Sequence, residues 1–332
     1  MSNSKAKKIA TWIIVPLMAS IFVLDIITVF LCNHYCRRYP MSEETFALEN
    51  GDDRIHFLNT ANSDAILIES NGRFALIDSG EGNSNPRRST EYQGFEERVT
   101  DYILKVAGDE TGIAHLDFIM GTHCHYDHIG AFHAIITNEK IQIGEAYFKG
   151  CDPEYLTSYE VKWGLPETYK QVIADLDAKG IPVINSFPEG GFDFGDFHLS
   201  FFNTVNAPSL KGKGENSETV GVLIEKSGCR AFIAGDITRT SGVEDIIVDD
   251  LGDIDLLKIG HHGYYGSSSM SFLRKVKPEV AIVTNQLGKV YPNVKWNLTM
   301  VAKCPFYATY DNNGIIASIT DSGDITLTNN IH

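Results

Sequence analysis

The sequence is poor in basic residues and has no regular cysteine pattern. Its 332 residues include 28 Lys and Arg against 43 Asp and Glu, so the formal net charge is −15. Tight nucleic-acid binding depends on Lys and Arg that neutralise phosphates, so this charge disfavours DNA or RNA as a tightly held partner. The six cysteines are scattered without close, regular spacing, which argues against a disulfide framework. We expect most of them to be free thiols.

Repeats, low-complexity tracts and Pro/Gly/Ser linkers are absent from the sequence between Tyr39 and His332. The hydrophobic content of 43% and the charged content of 21% have the usual balance of a globular protein. We therefore expect one domain over residues 41–332, preceded by a separate segment, residues 1–40.

This N-terminal segment contains a long apolar run. From Ile9 to Cys32, 19 of 24 residues are apolar, which is enough to span a hydrocarbon core of about 30 Å. Pro16 and Asp25 interrupt the run, and an Asp in mid-helix costs about 2.5–3.5 kcal/mol on insertion scales. A cleaved signal peptide is the alternative, but no small-x-small cleavage site follows Cys32. We expect a single-pass membrane anchor with the catalytic part outside the cell.

After the anchor, strand-forming runs fall into two sets, each interleaved with helical patterns. The first set is "RIHFLNT", "DAILIES", "RFALIDSG", "LDFIMGTH" and a run near 141–148, with a helix over 91–106. A helix near 166–179 and the hairpin "FDFGDFHLSFFN" come next. The second set is "TVGVLIEKSGCRAFIAGD", "IDLLKIGHHG" and "VAIVTN", with helices near 242–250 and 271–276. Two similar halves of this kind predict an α/β fold with two packed sheets covered by helices.

Residue types that bind metals are concentrated in the stretch "GTHCHYDHIG". His123 and His125 are two apart and can point the same way from an extended segment, whereas Asp127 and His128 follow a bend. Two pairs of ligands suit two adjacent ions. Imidazole and carboxylate groups suit zinc, and two ions about 3.5–4 Å apart can hold a shared hydroxide at neutral pH.

The remaining ligands must come from other strand ends, where open sheets place their sites. Asp236 ends the run "FIAGD", and His261 and His262 end "LLKIGHHG". We expect Asp78 to support the histidine loop through hydrogen bonds, and Cys124 to be a buried thiol on the opposite face. The other histidines are interpreted as structural or surface residues: His56, His115, His133, His198 and His332.

The spacing H-x-H-x-D-H resembles the signature of the metallo-β-lactamase superfamily. This resemblance implies an αββα sandwich and a hydrolase with two zinc ions, which Mn²⁺ or Fe could replace in the cell. It places His123 and His125 on one ion, Asp127 and His128 on the other, and Asp236 between them. It also favours His262 over His261 as the last ligand, so that His261 faces the substrate. We expect Asp127, Asp236 and His261 to act in catalysis.

Longer segments resemble two branches of the superfamily, the zinc domain of cell-wall phosphorylcholine esterases and the hydrolase domain of competence-type DNA-uptake proteins. The carrying segments include "LDFIMGTHCHYDHIG", "ENSETVGVLI" and "KIGHHGYYGSSS". β-Lactamases and glyoxalases have a further histidine ligand where this chain has "GENSETVGV", and its absence favours the phosphodiesterase-like branch. The resemblance therefore implies a phosphodiesterase, with phosphorylcholine-type esters as the leading substrate class.

Three features bear on the alternatives. An aromatic cage for choline would use Tyr126, Trp163, Tyr264 and Tyr265. Tyr264 is also, beside His261, a candidate donor of the proton that the leaving group needs. A nuclease would need basic residues, and "LKGKG", residues 210–214, is the only small run. A membrane-anchored metal-binding protein without turnover would lack ligands, whereas all six are present.

Overall fold

Two β-sheets carry the fold over the residues that the computed structural model describes, which are 2–35, 39–43, 53–84 and 94–332. In chain order the strands are β1 (Met41–Glu43), β2 (Asp53–Phe57), β3 (Ala65–Ser70), β4 (Arg73–Ser79), β5 (Ala114–Gly121), β6 (Ile141–Phe148), β7 (Val183–Ile184), β8 (Phe192–Phe194), β9 (Phe197–Phe202), β10 (Gly221–Lys226), β11 (Cys229–Ile233), β12 (Leu256–Lys258), β13 (Val280–Val283), β14 (Phe306–Ala308), β15 (Ile315–Ile319) and β16 (Ile325–Asn329). The first sheet has the order β1-β16-β15-β2-β3-β4-β5-β6-β7, and the second has the order β14-β13-β12-β11-β10-β9-β8.

Each sheet begins with antiparallel hairpins and continues as parallel strands. In the first sheet β2, β3 and β4 are antiparallel, and β4, β5 and β6 are parallel. Asn71 and Gly72 both have positive φ, as a tight hairpin turn between β3 and β4 requires. In the second sheet β9, β10 and β11 are antiparallel, and β11 to β14 are parallel. The hairpin predicted over "FDFGDFHLSFFN" is confirmed by the antiparallel pairing of β8 and β9.

Both faces of each sheet are covered, because successive side chains of a strand point to opposite faces. Ile66 and Ile68 of β3 belong to the core between the two sheets, whereas Ala65 and Leu67 pack toward helices. The second sheet divides its side chains in the same way, with its outer face against a third cluster of apolar residues. The predicted αββα arrangement is confirmed.

Most of the helices pack on the outer faces of the two sheets. They are α1 (Ser2–Tyr35), α2 (Glu96–Ala107), α3 (Tyr126–Ile129), α4 (Phe132–Thr137), α5 (Ser158–Lys162), α6 (Leu165–Lys179), α7 (Val243–Leu251), α8 (Met270–Val276) and α9 (Pro292–Trp296). The predicted helices near 166–179, 242–250 and 271–276 correspond to α6, α7 and α8. The helix predicted over 91–106 corresponds to α2, which begins at Glu96, and residues 91–93 lie outside the described residues.

The N-terminal helix does not fit the predicted membrane anchor. Among the residues that the structure describes, no helix combines the length and apolar character needed to cross a bilayer. The prediction of a transmembrane anchor with an extracellular catalytic domain was therefore wrong. Asp25 interrupts the apolar run of α1 and forms an ion pair with the rest of the chain. Its carboxylate lies 2.9 Å from the Nζ of the buried Lys295 on α9.

Candidate metal centre

The candidate site lies at the edge where the carboxyl ends of β5, β11 and β12 meet. The backbone N of Val220 donates to the Thr122 carbonyl (2.9 Å), which joins the loop after β5 to the second sheet. The turns that carry the predicted ligand residues follow β5, β11 and β12. These three strands are largely buried, so the site is set in the rigid part of the fold. This placement agrees with the general rule for open α/β sheets.

The histidine loop is held by Asp78 at the end of β4, as predicted. One carboxylate oxygen of Asp78 accepts from the Thr122 backbone N (2.7 Å), and the other accepts from the Thr122 hydroxyl (2.7 Å). The second oxygen also lies 2.7 Å from His128 Nδ1. Asp78 has a φ of +57°, a conformation that non-glycine residues seldom adopt, so the surrounding contacts must hold it there.

The predicted ligand residues converge into two groups that share Asp236. In the first group, His123 Nε2 lies 3.1 Å from His125 Nδ1 and 3.7 Å from Asp236 Oδ2. In the second group, the Nε2 atoms of His128 and His262 lie 3.2 Å apart, and they lie 3.2 and 3.3 Å from Asp236 Oδ1. Ligand atoms around a tetrahedral zinc ion, bound at about 2.0–2.1 Å, are separated by about 3.4 Å, so both groups have suitable spacing.

Each of the four histidines has its second ring nitrogen held by another group. This pattern fixes the tautomer and ring orientation in metal-binding histidines. The partners are Thr122 Oγ1 for His123 (3.1 Å), Glu160 Oε1 for His125 (3.0 Å), Asp78 Oδ2 for His128 (2.7 Å), and Thr284 Oγ1 (3.2 Å) with Asp64 Oδ1 (3.3 Å) for His262.

Asp236 provides the test of whether a cation fits. Its side chain is 1% exposed, and its Oδ1 has no hydrogen-bond partner although imidazole nitrogens surround it. Burial alone would raise the pKa of this carboxyl, but His262, His128 and His261 hold it well below its ordinary value. A buried, ionised carboxylate with an unused oxygen among nitrogen ligands is suited to bridge two cations.

A glycine and a pair of strained histidines set the direction of these side chains. Gly235 has a φ of +49°, and a Cβ there would lie 2.6 Å from Thr219 Cγ2, so only glycine fits before Asp236. His261 and His262 have φ values of +49° and +50° in the turn after β12. This kink sends the two rings apart. His262 is fully buried in the second group, whereas His261 is 31% exposed with Nε2 3.9 Å from Asp236 Oδ2.

The geometry agrees with the comparison of the sequence with known families. The family model described as "Metallo-beta-lactamase superfamily" matches residues 58–284. The chain belongs to this superfamily. The fold is the two-sheet sandwich that the resemblance implied. Membership of this superfamily and the cluster of buried Asp and His residues that could bind metal ions identify the chain as a metal-dependent hydrolase.

Individual relatives are more distant. The chain is 30% identical over 84 residues to "Recombination protein 2" of Haemophilus influenzae, covering 25% of this chain and 10% of that protein. It is 23% identical over 176 residues to "ComE operon protein 3" of Bacillus subtilis, covering 52% of this chain and 20% of that protein. The chain thus spans a fifth or less of these relatives. The crystal structure of the metallo-beta-lactamase fold protein YhfI from Bacillus subtilis has 12% identity and a TM-score of 0.46, covering 83% of this chain and 99% of that one.

Asp127 lies at the edge of the second group of this superfamily site. Its Oδ2 is 3.7 Å from His262 Nε2, and its side chain is 13% exposed toward a cavity. The Asp127 backbone carbonyl accepts from the Asp64 N (3.1 Å), which ties the histidine loop to the turn before β3. The structure therefore brings all six predicted ligand residues together, and His125 and Asp127 are the two of them whose side chains are partly exposed.

Asp64 and Lys258 were missed by the sequence analysis. Asp64 lies beneath His128 and His262, with its oxygens 3.8 and 3.3 Å from their Nδ1 atoms, and it forms an ion pair with Lys258. Burial alone would raise the pKa of the Asp64 carboxyl, but Lys258 and His262 lower it below its ordinary value. Because Asp64 faces Nδ1 and Asp236 faces Nε2, Asp64 orients the rings from behind. A lysine inside the apolar run "LLKIG" was the available signal.

Glu160 on α5 was also missed. Its side chain is 7% exposed and contacts His125 Nε2. Burial alone would raise the pKa of Glu160, but His125 and Thr157 outweigh burial and lower this pKa to about 2. Thr157 and Glu160 form a capping box at the start of α5. That T-x-x-E spacing was visible in the sequence, but it indicates a helix start and carries no sign of the contact with His125.

A cavity of about 540 Å³ opens over the two groups. Its floor includes His125, Asp127, Asp236 and His261. Its walls include Tyr159, Trp163, Tyr264, Lys213 and Asn216. Of the four aromatic residues predicted for a cage, Trp163 and Tyr264 line this cavity. Tyr126 is buried and lines a different cavity, and Tyr265 is 65% exposed and stands outside this one.

Proposed function

We propose that this chain is a phosphodiesterase that works with two divalent metal ions, zinc being the ion that its histidine-rich ligand set suits best. The observation that carries the proposal is the position of Asp236, whose two oxygens face two separate histidine pairs. His123 and His125 would hold one ion with Asp236. His128, His262 and Asp127 would hold the other with the same carboxylate.

The first group supports phosphodiesters over β-lactams and thioesters as substrates. Two histidines and the shared Asp236 provide three protein ligands there, and Asn216 stands at the cavity wall in the region where related hydrolases have a histidine. An open position of this kind can accept a substrate oxygen. When bound, two such ions supply a water of lowered pKa and offset negative charge on the phosphoryl oxygens.

The chain's own residues have three tasks in this proposal. Asp236 and Asp127 would hold the ions at the floor of the cavity in which the phosphoryl group binds. Lys213 at the cavity wall attracts the anionic substrate. His261 donates a proton to the leaving oxygen, since its ring faces the cavity next to Asp236 without belonging to either histidine pair. Tyr264, whose ring lies 5.5 Å from that of His261, is the second candidate donor.

A choline-bearing ester is the leading substrate within this class. The side chains that line the cavity include three aromatic rings, those of Tyr159, Trp163 and Tyr264. A quaternary ammonium group between such rings gains about 0.5–2 kcal/mol from each cation–π contact. The excess of acidic residues in the chain also favours a cationic headgroup.

A nuclease is the second candidate, because Lys213 from the small basic run faces the cavity and the same rings could stack on bases. The similarity to two proteins named for recombination and the ComE operon also points in this direction. Lys213 is the only lysine among the described residues that line the cavity, and this and the net charge of −15 weigh against strong DNA binding.

Hydrolysis assays with the full chain test both candidates. Zinc-loaded protein is assayed with bis(p-nitrophenyl) phosphate, p-nitrophenyl phosphorylcholine, single-stranded DNA and a chromogenic β-lactam, beside Asp236→Asn. We expect two ions per wild-type molecule, highest kcat/KM on the choline ester, and no turnover by the folded variant. Cleavage of DNA alone would favour the nuclease, and β-lactam turnover alone would reject a phosphodiesterase.

A further inference from the structure

Glu160 lies outside the H-x-H-x-D-H motif but reaches one of its histidines. It is the third residue of α5, in the segment between β6 and α6, and its side chain is nearly fully buried. The chain folds back here so that a carboxylate 35 residues after His125 meets the edge of its ring. None of the six predicted ligands is in this segment.

Four donors surround the two oxygens of Glu160. Oε2 accepts from the Thr157 backbone N (2.6 Å) and from the Thr157 hydroxyl (2.7 Å). Oε1 accepts from the Glu215 backbone N (2.8 Å) and lies 3.0 Å from His125 Nε2. Since the carboxylate can only accept, the hydrogen on the His125 ring is placed on Nε2.

Helix capping alone does not explain this arrangement. The capping box uses Oε2 at Thr157, and it would be complete with Oε1 in solvent. Instead Oε1 is buried and directed at His125 and at the segment that precedes Asn216. The other ring nitrogen, His125 Nδ1, is the atom that faces His123 Nε2 at 3.1 Å.

We propose that Glu160 is a positioning residue for the first metal site, which keeps the proton of His125 on Nε2 and leaves Nδ1 free to bind the ion. The inference rests on the metal site of the proposed function. The orientation of His125 matters more here than in relatives with a third histidine, because His123 and His125 are the only imidazole groups in the first group. α5 also carries Tyr159 and Trp163 to the cavity wall, so Glu160 ties that wall to the metal site.

Glu160→Gln tests the role with little change in volume. The amide offers one acceptor oxygen to a site with four donors, so either Thr157 or His125 loses its partner. Loss of such a partner weakens metal binding by roughly 10–100-fold. We expect chelator competition to show about tenfold or greater loss of affinity for one ion, with the other unchanged. Glu167→Gln is the matched control, since Glu167 is 70% exposed on α6 and pairs with Lys170. Because the amide oxygen of Glu160→Gln can still face His125, Glu160→Leu, which removes both acceptor oxygens, is the deciding variant. Two wild-type affinities in folded Glu160→Leu would overturn the inference.

The histidine tautomer in the metal-free wild-type protein gives a second measurement that needs no variant of Glu160. Long-range ¹H–¹⁵N spectra of histidine-labelled protein report which ring nitrogen carries hydrogen, and His125→Gln identifies the signal. We expect hydrogen on Nε2 of His125, and hydrogen on Nδ1 alone would refute the inference. Failure of the proposed function is distinguishable, because it would appear as absent phosphodiester turnover in a protein that still shows the Glu160 effect on metal affinity.

Discussion

The Asp64 carboxylate forms an ion pair with the Lys258 ammonium group, and neither side chain is exposed to solvent. Asp64 comes from the turn before β3 and Lys258 from the end of β12, so the pair joins the two sheets directly beneath the candidate metal centre. Lys258 Nζ also donates to the Gly235 carbonyl (2.9 Å), next to Asp236. One buried cation thus supports two of the turns that carry ligands.

Removing the lysine should destabilise the protein strongly. Lys258→Met leaves Asp64 as a buried charge without its ammonium partner, and breaking a buried pair in this way costs about 3–5 kcal/mol. We expect a loss of that size in the free energy of unfolding, measured by urea denaturation. The double variant Asp64→Asn, Lys258→Met removes both charges and should be more stable than Lys258→Met. Equal stability of the single and double variants would contradict the assigned pair.

Metal binding should release a proton near neutral pH. Burial lowers the pKa of His128, but Asp236 and Asp78 outweigh it and raise that pKa well above 6.5, so the metal-free ring is protonated. A histidine must lose the proton on its ligand nitrogen to bind a metal. The affinity should therefore rise with pH up to the pKa of His128. Calorimetry in two buffers with different ionisation enthalpies should show about one proton released at about pH 7. Identical heats in both buffers would show that His128 is already neutral.

The sequence predicts the histidine loop well because its ligands are close together. His123, His125 and His128 need only an extended segment and one helical turn to face two ions, and both are local properties of the chain. Asp236 and His262 were also predictable, since each follows a strongly apolar strand and strand ends meet at one edge of a sheet.

The parts that escaped prediction depend on contacts between distant segments. Asp64 reaches the site only because the strand pairing places the turn before β3 beside Asp127, and no local pattern in "NSDAIL" indicates this. β15 and β16 join the first sheet next to β2, which requires chain segments about 260 residues apart to pair. The ion pair between Asp25 and Lys295 on α9 is another contact between distant segments that no local pattern indicates.

Stability should depend on pH through Glu244, a buried residue of α7 whose carboxylate accepts from the Ser269 backbone N. Burial raises its pKa from 4.5 to about 7. The folded state therefore binds more protons than the unfolded chain between these values, so stability falls as pH rises from 4.5 to about 7 and stays lower above that. Each pKa unit corresponds to about 1.4 kcal/mol.

Glu244→Gln should remove this dependence, because the amide does not ionise and keeps one acceptor for Ser269. We expect the variant to be more stable than the wild type at about pH 8, and to lose this advantage at about pH 4.5. Urea unfolding at both pH values measures the difference. Asp250→Asn, an exposed acid of the same helix, is the control and should leave the pH dependence unchanged. The same pH dependence in Glu244→Gln would show that another group is responsible.

His261 should be needed for turnover but not for metal binding. Its ring lies on the cavity side of the strained turn, while His262 on the buried side belongs to the second ligand group. Burial lowers the pKa of His261 below 6.5, which keeps the ring mostly neutral in the absence of substrate. An anionic phosphoryl group next to the ring would raise that pKa again, so the ring would gain its proton when the substrate binds.

We therefore expect His261→Ala to retain two ions per molecule and to lose about 10²–10⁴-fold in kcat, the usual range for a general acid. The loss should be smaller for an aryl phosphodiester than for an alkyl one, because a good leaving group needs less protonation. His198→Ala is the matched control, since His198 is 42% exposed on the hairpin and pairs with Asp193 away from the cavity. A missing ion in His261→Ala would show that His261 is a metal ligand. Equal losses on aryl and alkyl esters would show that His261 only positions the substrate, because the loss depends on the basicity of the departing oxygen only if His261 donates the proton.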